Sequence, residues 1–330
     1  MNKTNLKIWI LRNIPFILFV SIFVVFGLMS HRFLQFDSLL NIVKQASYIG
    51  IVAVGMTFVL LTAGIDLSVG SNMYLSAIVA GLLLGKFSAP IWLVLPACLA
   101  VGFTFGFINA FFITKVKIVP FVVTLATMVA GRGLGLLLTK SRAVHFPEAI
   151  VQMGSINVLG ILPLPIVFYT LVVTIAYLIL NNTPLGRQIY AVGNDIEAAR
   201  KAGIRTDTIL TSTYIICGVL AAFGGFISVS QLGIVNAGFG RGDEFDAIAA
   251  AVLGGTSLFG GIGSVFPGTV LGAILIQMVW SGLVFTQVNL YLQPLIFAAI
   301  LFLAVFLDSF KNRLIAKMRR RKIRIEDDKV

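Results

Sequence analysis

The side chains able to do chemistry in this sequence are few, and most of them interrupt long apolar runs. The stretch from Leu60 to Ser71, LLTAGIDLSVGS, places one carboxylate (Asp66), the hydroxyls of Ser68 and Ser71 and two glycines (Gly64 and Gly70) where the flanking residues are almost wholly apolar. A uniform helix is not expected across it. Asp66 is expected to cap a helix beginning at Leu67, its carboxylate accepting from orphan backbone donors, with a place in a solute path as the alternative. Arg132, Asp243 and Glu244 also lie within or beside apolar runs. A centrally placed Arg facing lipid costs about 2.5 to 3.5 kcal/mol, so these groups must face protein, water or headgroups. Arg132 is a candidate solute contact, with structural pairing as the competing reading. The sequence holds no GxxxxGK[ST] loop to cradle ATP and no HExxH or GxSxG motif, and His31 and His145 stand far apart. Cys98 and Cys217 sit in separate apolar runs and read as packed thiols, not as a disulfide or metal site. Neither catalysis nor a cofactor is expected.

The elements that position these groups are set by lipid. Hydrophobic residues make up 58% of the 330 residues, charged residues 12%, and the mean hydropathy is +1.00, which leaves too little polar surface to cover a soluble domain of this length. Apolar run lengths predict an all-α polytopic membrane protein with ten spans near 13–30, 45–63, 68–85, 90–113, 118–139, 163–181, 209–229, 245–259, 265–285 and 291–308. The Gly-rich spans near 68 and 245 are the weakest, and an eight-span arrangement is the alternative. Met1 to Ser30 reads as a first transmembrane helix because its apolar run is long enough to span and no small-residue cleavage site follows. The formal net charge of +12 concentrates at the N-terminus, Lys115 and Lys117, the 182–208 loop and the 309–330 tail with Arg319-Arg320-Arg321-Lys322. Ten crossings from a cytoplasmic N-terminus put all of these on one side, which is positive-inside topology and not a nucleic-acid-binding face. Five spans in each half allow an inverted repeat. Glycines inside the spans, such as Gly102, Gly106, Gly224 and Gly225, suit close helix packing.

The loop at 182–208 carries its own pattern. A short helix over 195–202 presents Ala198, Ala199 and Ala202 as a small-residue face, has Glu197 near its start and Arg200 and Lys201 near its end, and stops at Gly203.

Three segments together resemble one family. AGIDLSVGS, with Gly64, Asp66, Ser68 and Gly70, resembles the signature of permeases from the ribose and related monosaccharide group of ABC importers. The run from Asp246 to Ser264, DAIAAAVLGGTSLFGGIGS, with Gly254, Gly255, Thr256 and Ser257, resembles a second block of that family, and Glu197 to Gly203 fits the EAAxxxG pattern of ABC permeases. The resemblance runs over about 45–308; Pro267 departs from it and leaves the start of the ninth span open. It implies a single transmembrane permease domain in a bacterial plasma membrane, translocating a monosaccharide or similar small polar solute. The implied partners are two ATP-binding-cassette ATPase subunits docking on the 195–203 helix, a second permease subunit, an extracytoplasmic sugar-binding protein and the bilayer, with no nucleic acid.

Rival readings make distinct demands. A permease for a branched-chain amino acid or nucleoside shares the glycine-rich pattern. An ion-coupled secondary transporter needs mid-span ionisable residues, which are scarce here. A polytopic membrane enzyme needs a cluster of His, Asp or Glu at one membrane face, and two distant histidines do not supply one.

Overall fold

The computed structural model describes residues 14–158, 160–300, 302 and 306. The basic N-terminal residues Lys3, Lys7 and Arg12 and the basic 309–330 tail lie outside the described residues. Long apolar segments with polar interruptions fold as expected into an all-α polytopic membrane protein. Among the described residues six helices are long and apolar enough to cross a bilayer, and two shorter apolar ones accompany them.

The chain divides into two compact units. One comprises residues 1–39 and 278–330. Within it helix α1 (Ile14–Met29) is followed by a 3-10 turn at His31–Leu34, and Phe33 is fully buried against the rings of Phe23, Phe26 and Phe285. Trp280 stacks on Phe297 at 4.6 Å. Residues 293–300 are helical, and of the expected 291–308 span only these, 302 and 306 show their helical form.

The larger unit runs from Leu40 to Gln277. Its helices are α2 (Phe36–Leu61, belonging to this unit from Leu40 on), α3 (Val69–Gly85), α4 (Val94–Thr114), α5 (Pro120–Thr139), the one-turn α6 (Glu148–Gln152), α7 (Leu164–Asn182), α8 (Pro184–Asn194), α9 (Ile196–Lys201), α10 (Thr206–Leu232), α11 (Asp243–Leu253) and α12 (Val270–Phe285, belonging to this unit as far as Gln277). Two-residue strands form two ribbons: β1 (Val144–His145) pairs antiparallel with β4 (Ile234–Val235), and β2 (Asn157–Val158) with β3 (Leu162–Pro163). Helices α2 and α10 form the interior, while α4, α5 and α7 turn large apolar side chains such as Phe107, Leu137 and Leu171 outward. Outward apolar residues are the stable arrangement when the solvent is hydrocarbon. Helix α10 runs antiparallel against α4, backbone to backbone, where a Cβ on Gly102 would overlap the Gly218 carbonyl.

Several expected boundaries move. The 45–63 span begins at Phe36, and the 209–229 span extends to 206–232. The helix after Asp66 starts at Val69 with Ser68 at its cap position, not at Leu67. The expected 245–259 span is helical only over Asp243–Leu253, about 16 Å of rise. It stops there because Gly255, Gly260 and Gly261 adopt positive φ (95°, 83° and 70°), a conformation that ends a right-handed helix. The chain resumes through a π-type turn at Val265–Thr269, which contains the non-helical Phe266, before α12 begins. Pro267 thus sits in this irregular start.

Candidate functional site

The two irregular segments, 62–68 and 254–264, meet each other. Gly261 N donates to Leu61 O at 3.0 Å, and a Cβ on Gly260 would stand 2.9 Å from Ala63 N. Just behind them the hydroxyls of Thr57 and Thr269 share a hydrogen bond of 2.7 Å. Within the second segment Thr256 N donates to Ala251 O, Ser257 N donates to Ile262 O, and the Ser257 hydroxyl accepts from Phe259 N. Gly254 lies against the backbone of Gly268 and Thr269. Backbone groups freed where the helices break are therefore answered from the opposing segment or from local turns, the requirement for irregular chain at membrane depth.

Asp66 lies at the centre of a polar network. Only 1% of it is exposed. Its Oδ1 accepts from Ser68 N at 2.9 Å, from the Ser68 hydroxyl at 2.6 Å and from Asn109 Nδ2 at 3.4 Å. Asn109 Nδ2 also donates to the Ser68 hydroxyl, and Asn109 Oδ1 accepts from Thr127 at 2.7 Å. This network fastens the α2–α3 break to α4 and α5. The carboxylate lies in the expected helix break and accepts from a backbone donor there, Ser68 N, but the helix begins at Val69 and not at Leu67, so Asp66 closes a turn just ahead of it. Asn109 and Thr127 were missed. The available signal was a lone amide inside the apolar run 94–114, since buried polar groups in lipid carry a partner.

The loop after α7 leads into the same junction. Helix α8 ends at Gly193 and Asn194, where a Cβ on Gly193 would overlap Leu61 O and stand 2.6 Å from Gly261 N. Only glycine lets this turn sit on the end of α2 and on the 254–264 segment at once. The Tyr190 hydroxyl donates to Gly263 O at 2.9 Å, and burial raises the Tyr190 pKa. One residue later Asp195 caps α9, accepting from Glu197 N at 2.9 Å and Ala198 N at 3.0 Å. Arg200 pairs with Glu197 at 2.9 Å on the exposed face, and Gly203 leaves the helix at φ +84°. Ala199 turns inward and is buried, while Ile196, Glu197, Ala198, Arg200, Lys201 and the following Ala202 face outward. Lys117 bridges to Asp207 at 2.8 Å in the first turn of α10, which places the basic corner after α4 at the same end of α10 as α9.

The opposite end of α10 is built differently. Its 27 residues rise about 40 Å to Leu232, where β4 and an irregular loop lead to α11. Arg132 donates to Phe239 O in that loop and stacks over Tyr74, 4.7 Å from the ring centroid. Its guanidinium therefore holds protein, and it lies near the carboxylate of Glu244. Gly70 sits against Gly240 and Glu244, so α3 and α11 begin side by side. Asp246 lies in the first turn of α11, away from Gly254, Gly255, Thr256 and Ser257 at its other end.

A family model described as branched-chain amino acid transport system / permease component matches residues 38–305. The chain is 36% identical over 300 residues to the ribose import permease protein RbsC of Haemophilus influenzae, covering 89% of this chain and 92% of the relative. It is 35% identical over 294 residues to the autoinducer 2 import system permease protein LsrC of Photorhabdus luminescens, covering 88% of each. With the galactose/methyl galactoside import permease protein MglC of Salmonella typhimurium the identity is 32% over 334 residues, 94% of this chain and 98% of the relative. No solved structure matches the chain. With polar breaks packed between membrane helices and a family match over most of its length, the chain belongs to the family of branched-chain amino acid transport system permease components.

Proposed function

We propose that this chain is the membrane-spanning permease subunit of an ATP-driven importer in a bacterial plasma membrane, moving a monosaccharide or similar small polar solute. The observation that carries the reading is the seat of the α8–α9 turn on both helix breaks. A partner pushing on the exposed face of α9, which begins three residues after Gly193, acts through that glycine on the two helix breaks of the membrane core together. Ala198, Ala202 and the Glu197–Arg200 pair form the docking face for the ATPase, and Ala199 anchors the helix from behind. The chain's own sequence has no phosphate-cradling motif, so hydrolysis belongs to two separate ATPase subunits. A second permease subunit and an extracytoplasmic binding protein complete the assembly. Ten crossings with both termini cytoplasmic fit the shared placement of Lys117 and α9 at one end of α10. The sugar assignment follows the relatives named for ribose and galactose, over the amino-acid wording of the family model.

The test is reconstitution in proteoliposomes with the companion ATPase and binding protein. ATP-dependent accumulation of radiolabelled ribose or galactose, lost when either companion is omitted, is the expected result. Uptake by the permease alone without nucleotide overturns the proposal.

A further inference from the structure

At the end of α10 remote from α9 lies a cavity of about 400 Å³, open to one side. Its polar lining comes from separate elements: Tyr48 of α2, Ser228 of α10, Asn236 and Arg241 of the loop after β4, and Asp243 at the start of α11. Ser228 is only 4% exposed, yet its hydroxyl has no hydrogen-bond partner among the described residues. The half-buried Tyr48 hydroxyl and Asp243 carboxylate likewise have no hydrogen-bond partner among the described residues. Buried polar groups normally find partners. One buried hydroxyl and two half-buried groups that converge on one cavity without bonding to each other are the mark of a site whose partner is a ligand.

The lining selects the ligand's chemistry. One cation and one anion offset each other, and the hydroxyls and the amide both donate and accept, as sugar hydroxyls do. Leu232, Ile234 and Phe239 supply apolar wall for C–H faces. We propose that this cavity is a transient binding site for a neutral polyhydroxylated solute of monosaccharide size on its way through the permease. The assignment rests on the permease reading above. Arg132 is then a positioning residue, fixing the Phe239 carbonyl and with it the loop that forms the wall.

The experiment uses the full complex in proteoliposomes and follows ATP-driven uptake of radiolabelled ribose, galactose and leucine together with ATP hydrolysis. Tyr48→Phe and Ser228→Ala remove one hydroxyl each with almost no change of shape, and Asp243→Asn keeps the volume. Each is expected to lower sugar uptake by about fivefold or more, the size of one lost hydrogen bond. Assembly and ATP hydrolysis are expected to persist, and the ratio of ribose to galactose uptake to change. Should Asp243→Asn fail to assemble, the two hydroxyl variants carry the test. Wild-type sugar uptake with all variants equal to it, at an unchanged ratio, overturns the cavity's role alone. A wild-type complex that moves leucine and neither sugar overturns the permease reading's sugar class, and the proposal with it.

Discussion

One carboxylate oxygen of Asp66 takes three donors from Ser68 and Asn109 at a depth where water cannot replace it. Asp66→Ala leaves the Ser68 N–H and hydroxyl buried without this acceptor, while Asn109 keeps the Ser68 oxygen, at a cost of about 1 to 3 kcal/mol for each unsatisfied group. Asp66→Asn keeps an acceptor in place. We therefore expect Asp66→Ala to lower the thermal unfolding midpoint of the detergent-solubilised protein clearly more than Asp66→Asn, and equal shifts would contradict the acceptor role. Arg132 presents a related choice, since its guanidinium serves both the Phe239 carbonyl and the Tyr74 ring. Arg132→Lys retains a donor and a cation for the ring but loses the planar fork. Uptake is expected to fall severalfold with Arg132→Ala and to recover in part with Arg132→Lys; full activity of the alanine variant would remove Arg132 from the mechanism.

Two glycines flank the short helix α9, and they differ in kind. Gly203 has positive φ but open space around it, so Gly203→Ala meets only a conformational cost of about 1 kcal/mol. Gly193 touches the backbone of Leu61 at the end of α2 and of Gly261 in the second break, and Gly193→Ala forces them apart. In the reconstituted complex Gly193→Ala is expected to abolish most uptake while ATP hydrolysis continues, and Gly203→Ala to leave transport nearly intact. Similar behaviour of the two would mean that the junction does not transmit motion. The helix itself depends on its cap, because six residues have almost no stability of their own. Much of this element was legible in sequence: Asp195 and Glu197 before an alanine-rich turn, with Gly203 after it, specify a capped helix locally. The seat of Gly193 was not legible, because its neighbours Leu61 and Gly261 are distant in the chain, and nothing local distinguishes a glycine required for contact from one that ends a helix. The same division holds at the breaks. Asp66 and Ser68 announced an interruption, but the stop of α11 at Leu253 was read through, since its apolar composition continues past Gly254 while its backbone does not.

Across the larger unit the helices sort by what surrounds them. The apolar core of α2 is enclosed by protein, whereas α4, α5 and α7 turn much of their apolar surface, including Phe107, Leu137 and Leu171, outward. Composition alone could not separate these classes, because a helix that faces lipid and one buried in protein are equally apolar in a membrane. The small residues of α10 hint at its interior place, yet only the packed structure distinguishes it from the outer helices. The distinction is measurable in nanodiscs with single spin labels on cysteines, after Cys98→Ala and Cys217→Ala remove the native thiols. Labels at Phe107, Leu137 and Leu171 are expected to relax strongly with lipid-soluble oxygen, and labels at Val52 and Met56 of α2 only weakly. Loss of oxygen accessibility at one outer helix on reconstitution of the full importer, with the others unchanged, would mark the face that meets the second permease. Strong oxygen contact at Val52 and Met56 would mean that α2 is not the interior helix around which the proposed conduit is built.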